Sequence, residues 1–113
     1  MTDDTPEDWT DEERRQLTAL TLHKLFTEEG VEEGVEVTVV YDLVPGKAPR
    51  QDDLNRALAM FGYRAQQGEE GGLVVAVEGV ALTLDQVWLH EERIMTIARA
   101  RGYEPDGWGF WAP

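Results

Sequence analysis

At neutral pH, histidine and cysteine carry most side-chain nucleophilic, general-base and soft-metal chemistry, and this chain holds two histidines and no cysteine. His90 and Glu91 stand in the run Leu89-His-Glu-Glu-Arg-Ile94. That run begins like the zinc-protease pattern HExxH, but position 94 is Ile where the second imidazole belongs, so the ligand pair cannot form. With only His23 as the other histidine, general-base catalysis by imidazole has few routes. Neither the phosphate-cradling P-loop spacing nor a dinucleotide fingerprint occurs. Aspartates and glutamates are plentiful but scattered, and no pair stands out as an acid/base couple. The pattern predicts no catalytic residue, no metal-ligand set and no cofactor.

Glu91 is nevertheless the one local inconsistency. Thr83-Leu-Asp-Gln86 reads as a capping box opening a helix that lasts until Gly102. Its core face should be Leu84, Val87, Trp88, Ile94, Met95 and Ala98, and at 100° per residue Glu91 falls inside that apolar arc. A carboxylate there either finds a cation or has its pKa raised by desolvation, and such a group can be catalytic. The commoner arrangement lays the stem on apolar surface and takes the head to the rim, and the sequence favours it.

The remaining elements follow from caps and periodicity. Residues 1–9 are polar, acidic and contain Pro6, which fits a disordered arm. Thr10-Asp-Glu-Glu13 is a first capping box, starting a helix to about Glu29 that stops at Gly30. Leu17, Leu20, Leu22, Leu25 and Phe26 spread over a wide arc of it, so contact on two sides is expected: its own domain on one, and on the other either more of that domain or a partner. Val35, Val37, Val39, Tyr41 and Leu43 then alternate with a mixed set, giving a central strand whose odd face lies under helices. Pro49 suits a first helical position, and Leu54, Ala57, Leu58 and Phe61 repeat at i, i+3, i+4, i+7 before Gly62. Residues 63–67 and 73–82 form a hairpin, with Gly79 at a bulge.

The chain closes on Gly102-Tyr-Glu-Pro-Asp-Gly-Trp-Gly-Phe-Trp-Ala-Pro113. Trp108, Phe110 and Trp111 could each bury about 150–250 Å². Gly107 and Gly109 strip side chains from alternate positions, so a neighbouring backbone or a partner could approach there. The composition favours a final strand, and Pro105 near its start fits an edge.

The predicted fold class is thus α+β: a leading acidic helix over residues 10–30, then a ferredoxin-like βαββαβ unit over 35–113. Right-handed crossovers place its two helices on one face of a four-stranded antiparallel sheet of order 4-1-3-2. One domain is expected from 113 residues.

Charge narrows the partners. The net charge is −13, and residues 1–36 hold twelve acidic against three basic side chains. Such a surface repels phosphate, so no direct nucleic-acid binding is expected, and the open sheet face lacks the basic-aromatic stripe of an RNA reader. A basic protein partner is easier to accommodate; solubility alone is the other account of the acidity. No apolar run suits a membrane, and the first residues lack a secretory pattern, so a cytoplasmic protein is expected.

Tyr103-Glu-Pro-Asp106-Gly107-Trp108-Gly109, following an amphipathic helix, resembles the closing signature of the bacterial family called regulator of ribonuclease E activity B. The resemblance extends through Ala59-Met-Phe-Gly-Tyr63, Leu82-Thr-Leu84 and the leading acidic helix, about residues 10–112. It implies a ferredoxin-like regulator that binds ribonuclease E and inhibits its cleavage of RNA, without catalysis of its own. The reading is therefore a non-enzymatic protein-binding regulator, with Asp106, Gly107, Trp108, Trp111, Glu12 and Glu13 as candidate contact residues. The alternative is a small-molecule-sensing module, dimeric through its sheet or edge strand.

Overall fold

The computed structural model describes residues 10–111; the expected acidic arm over residues 1–9 lies outside them. Seven elements follow in order: α1 (Asp11–Thr27), β1 (Glu36–Pro45), α2 (Gln51–Met60), β2 (Arg64–Gln67), β3 (Leu73–Ala81), α3 (Leu84–Arg99) and β4 (Tyr103–Trp111). The strands form one open antiparallel sheet of order β2-β3-β1-β4, the expected order read from the other edge.

Both sequence-read N-caps are present. The Thr10 hydroxyl accepts from the Glu13 amide at 3.1 Å and the Glu13 carboxylate accepts from the Thr10 amide at 2.9 Å, a complete capping box. Thr83 makes the hydroxyl half of the second, accepting from the Gln86 amide. The start of α2 differs from expectation. Pro49 precedes the helix, Arg50 occupies the cap without a side-chain capping bond, its guanidinium donating instead to the Ala100 carbonyl, and Gln51 is the first helical residue. The reason lies in the fold around Gly102. Gly46 and Arg50 donate backbone hydrogen bonds to the carbonyls of Gly102 and Arg101, so residues 46–50 are spent gripping the turn before β4. Gly102 sits at φ +85°, and a Cβ there would meet the Ala48 and Lys47 carbonyl oxygens at 2.7 and 2.8 Å.

The odd residues of β1, from Val37 to Leu43, are buried, as the alternation requires, together with Leu73, Val75 and Val80 of β3. α3 packs across β1, β3 and β4, and α2 lies beside it over β2, so one sheet face is covered and the other open. The Tyr41 hydroxyl donates to the Val87 carbonyl at 2.8 Å, tying the covered face to α3. Leu54, Leu58 and Val87 are fully buried, each contributing about 1.5–3 kcal/mol of apolar burial. Trp88 is only half-buried, and Ile97 takes a place in the core that the sequence reading did not give it.

Two bulges set which side chains face the helices. Val37 opposes Val80 while Val39 opposes Val77, so β3 carries an extra residue beside Gly79, which has φ +68°, as expected. Leu43 opposes Pro105 while Asp42 opposes Gly107, which leaves Asp106 as the extra residue in β4. After it, Trp108 and Phe110 share the covered face with Tyr41 and Val39, while Gly107, Gly109 and Trp111 fall on the open face beside Asp42, Val40 and Thr38.

Candidate functional site

Asp106, Gly107 and Trp108, the sequence-singled triplet, are first of all that bulge. Gly107 takes φ +127°, a conformation that side chains disfavour, and Asp106 projects exposed beside it. Burial and the neighbouring Asp106 raise the pKa of Asp42 across the strand. Trp108 is half-buried and turned inward, and its indole donates to the Thr18 hydroxyl at 3.3 Å. Phe110 likewise packs against the core, beside Leu25 and Val31. Trp111 lies on the open face and keeps 64% of its surface in solvent.

α1 is therefore the cover over β4. Its inward side presents Arg14, Thr18 and Leu22, all buried, with Leu25 and Phe26 packed against the core. Thr18 donates to Glu91 Oε1 at 2.7 Å, and Arg14 lies close enough to Glu91 to attract it. Glu91 is 8% exposed, so its head does not reach the rim as the sequence reading favoured. Burial raises its pKa, while the Thr18 hydroxyl and the Arg14 charge pull it back. The carboxylate is thus the polar rivet between α3 and the leading helix. At the same junction Arg99 of α3 pairs with Asp11 of α1 at 3.2 Å and Glu104 of β4 at 3.3 Å.

Glu91 and His90 are adjacent in sequence but serve different neighbours. The His90 ring lies edge-on to Tyr63, whose hydroxyl is 2.8 Å from Nδ1, and Arg93 donates to that hydroxyl at 3.4 Å. Burial and the Arg93 charge hold the imidazole below its usual pKa. Among the described residues no group of three or more histidines and carboxylates could hold a metal ion. No helix among them is long and apolar enough to cross a membrane.

The outer side of α1 carries the other candidates. Glu12 and Glu13 are exposed; Glu13 is engaged in the cap and Glu12 accepts from Gln16 at 3.3 Å. Leu17 and Leu20 stand out beside them, 47% and 54% exposed. The fold thus separates the candidate residues into two groups, Glu12 and Glu13 on this face and Asp106, Gly107 and Trp111 on the open sheet face, with Trp108 between the layers.

Sequence reasoning missed one cluster. Phe61 was expected on the buried face of α2, but the helix ends at Met60, Gly62 turns the chain at φ +84°, and Phe61 is 56% exposed beneath the Arg93 guanidinium. Arg93 and Phe61 are brought together only by the packing of α2 against α3, and no local signal announces the pair. Compared with models of known protein families and with curated proteins, the chain matches none.

Proposed function

We propose that this chain is a ferredoxin-like, non-enzymatic regulator that works by binding another protein, as its resemblance to regulators of ribonuclease E activity implies. The βαββαβ order after α1, with both helices on one side of an antiparallel sheet, supports the fold reading.

The observation that carries the functional reading is the outer face of α1. A helix buried through Arg14, Thr18 and Leu22 has no packing need for leucines on its far side, yet Leu17 and Leu20 lie there amid Glu12, Glu13 and Gln16. An apolar pair with glutamates at its N-terminal end suits a basic amphipathic segment, whose aliphatic side chains cover the leucines while its cations meet the glutamates. On this reading the chain acts in the cytoplasm, and by binding such a segment of ribonuclease E it inhibits the enzyme's cleavage of RNA.

The test is a ribonuclease E cleavage assay with the purified protein, comparing wild type with L17S/L20S and E12K/E13K. Inhibition at micromolar concentration that both variants weaken supports the reading. An absence of inhibition, or inhibition that neither variant changes, counts against it.

A further inference from the structure

β3 is longer than the strand that covers it. Its whole length pairs with β1, from Leu73 opposite Leu43 to Ala81 opposite Glu36. On its other side β2 pairs only with residues 73–76, ending where Arg64 opposes Ala76. The chain enters β2 from Gly62 and Tyr63, so it never runs beside residues 77–81, and among the described residues no strand takes that place in the sheet.

The vacated place is a cleft of about 650 Å³. Val77 and Glu78 of β3 form one wall, Phe61, Tyr63 and Arg64 the other, and His90 of α3 closes the end. The volume falls within the range of ligand clefts, and one wall is the uncovered edge of β3 at Val77 and Glu78, just before the bulge at Gly79, where an extended chain can pair. Phe61, 56% exposed, gives the cleft an apolar lining.

Its charge departs from the rest of the molecule. In a chain of net charge −13, Arg64 lines the cleft and Arg93 sits over Phe61. Glu78 is the carboxylate lining the cleft. The Tyr63 hydroxyl and His90 Nδ1 lie 2.8 Å apart, and Arg93 donates to the same phenolic oxygen, so the three side chains form one polar group at the cleft. Cations and an exposed aromatic beside a strand edge are complementary to alternating acidic and apolar residues.

We infer that this cleft is a docking site for an extended acidic segment of a partner protein, added to the sheet edge beside Val77 and Glu78, with a carboxylate at Arg64 and an apolar side chain over Phe61. The site lies at the β2 edge, the opposite edge of the sheet from β4 and the α1 that covers it. It is independent of the basic partner proposed for α1, and either surface can fail without the other.

The experiment uses the full chain and a fluorescein-labelled octapeptide, Thr-Glu-Val-Glu-Phe-Glu-Val-Thr, blocked at both ends. Fluorescence anisotropy should show saturable binding with a Kd on the order of 100 µM or tighter. Arg64→Glu, an exposed position checked for folding by circular dichroism, should weaken it by about tenfold or more, while L17S/L20S leaves it unchanged. Two further peptides carry N-methyl groups on alternate backbone amides, one set each, and at least one should lose about tenfold, because strand pairing needs those amides. Amide shifts in 15N spectra should centre on Tyr63, Val77, Glu78 and His90. Absence of saturable binding, equal binding of a peptide with lysines for its glutamates, retention of both N-methylated peptides, or indifference to Arg64→Glu would each overturn the proposal.

Discussion

The indole of Trp108 donates to the hydroxyl of Thr18 at 3.3 Å across ninety residues of chain, joining the edge strand to the leading helix. Thr18 passes its own hydrogen to Glu91 at 2.7 Å, so one hydroxyl serves β4, α1 and α3 at once. Most of the aromatic burden of the C-terminus is met here, by α1, with Trp111 left outside.

That hydroxyl should therefore matter more than its size suggests. Thr18→Val keeps the shape but leaves the buried Glu91 oxygen and the Trp108 N–H without their partner, and should cost about 1–3 kcal/mol. Thr18→Ser keeps the bonds and should cost less. Urea unfolding followed by circular dichroism measures both, and a loss in Thr18→Ser as large as that in Thr18→Val would mean that the methyl contributes as much as the hydroxyl.

Glu91 gives a pH signature. Its folded pKa is raised by burial above the 4.5 of an exposed glutamate, so the folded state holds the proton more tightly than the unfolded one. Stability contributed by the protonated form is fully present below 4.5 and is lost as pH rises through the folded value. Glu91→Gln keeps an acceptor for Thr18 without titrating. The wild type should lose stability relative to this variant from pH 4.5 upward, and the two should run parallel below it. His90, with a lowered pKa, gives the opposite slope, with stability rising toward 6.5, but does so in both proteins and cancels in the difference. Curves parallel throughout would show that Glu91 titrates alike in the folded and unfolded chains.

Gly102, in the turn between α3 and β4, packs directly against the backbone of the β1–α2 connection. Gly102→Ala adds a methyl within 3 Å of two carbonyl oxygens at φ +85°. Neither backbone can yield without breaking the Gly46 and Arg50 hydrogen bonds, so the loss should be about 2–4 kcal/mol. A melting temperature within a degree or two of wild type would mean that residues 46–50 move aside freely.

What the sequence displayed was local. The Thr10 and Thr83 caps, the odd-face residues of β1 and the Gly79 bulge are each written within a few residues, and the order of elements then leaves few sheets to choose from. Phe61 misled because the apolar period continues through it, while Gly62 ends the helix one residue too soon to bury it. For Glu91 the helical arc was right, yet its partner Thr18 lies 73 residues away and no periodicity reports it. Trp111 was undecided for a similar reason: Gly107, Gly109 and Trp111 alternate with Trp108 and Phe110 in any register. Which set meets the helices depends on the one extra residue, Asp106.

The two glycines flanking Trp108 should part company on mutation. Both lie on the open face, and an added Cβ meets nothing within 4 Å at either, so sterics with neighbours does not separate them. Backbone conformation does: Gly107 holds φ +127° after the bulge, whereas Gly109 lies in regular strand opposite Val40. Gly107→Ala should cost about 1–3 kcal/mol through strain, and Gly109→Ala should be neutral or stabilising by a few tenths, from the lower entropy of its unfolded chain. Chemical denaturation of both distinguishes them. Equal tolerance would mean that β4 can pair without the bulge, in which case Trp108 would face solvent and its fluorescence emission would shift to the red.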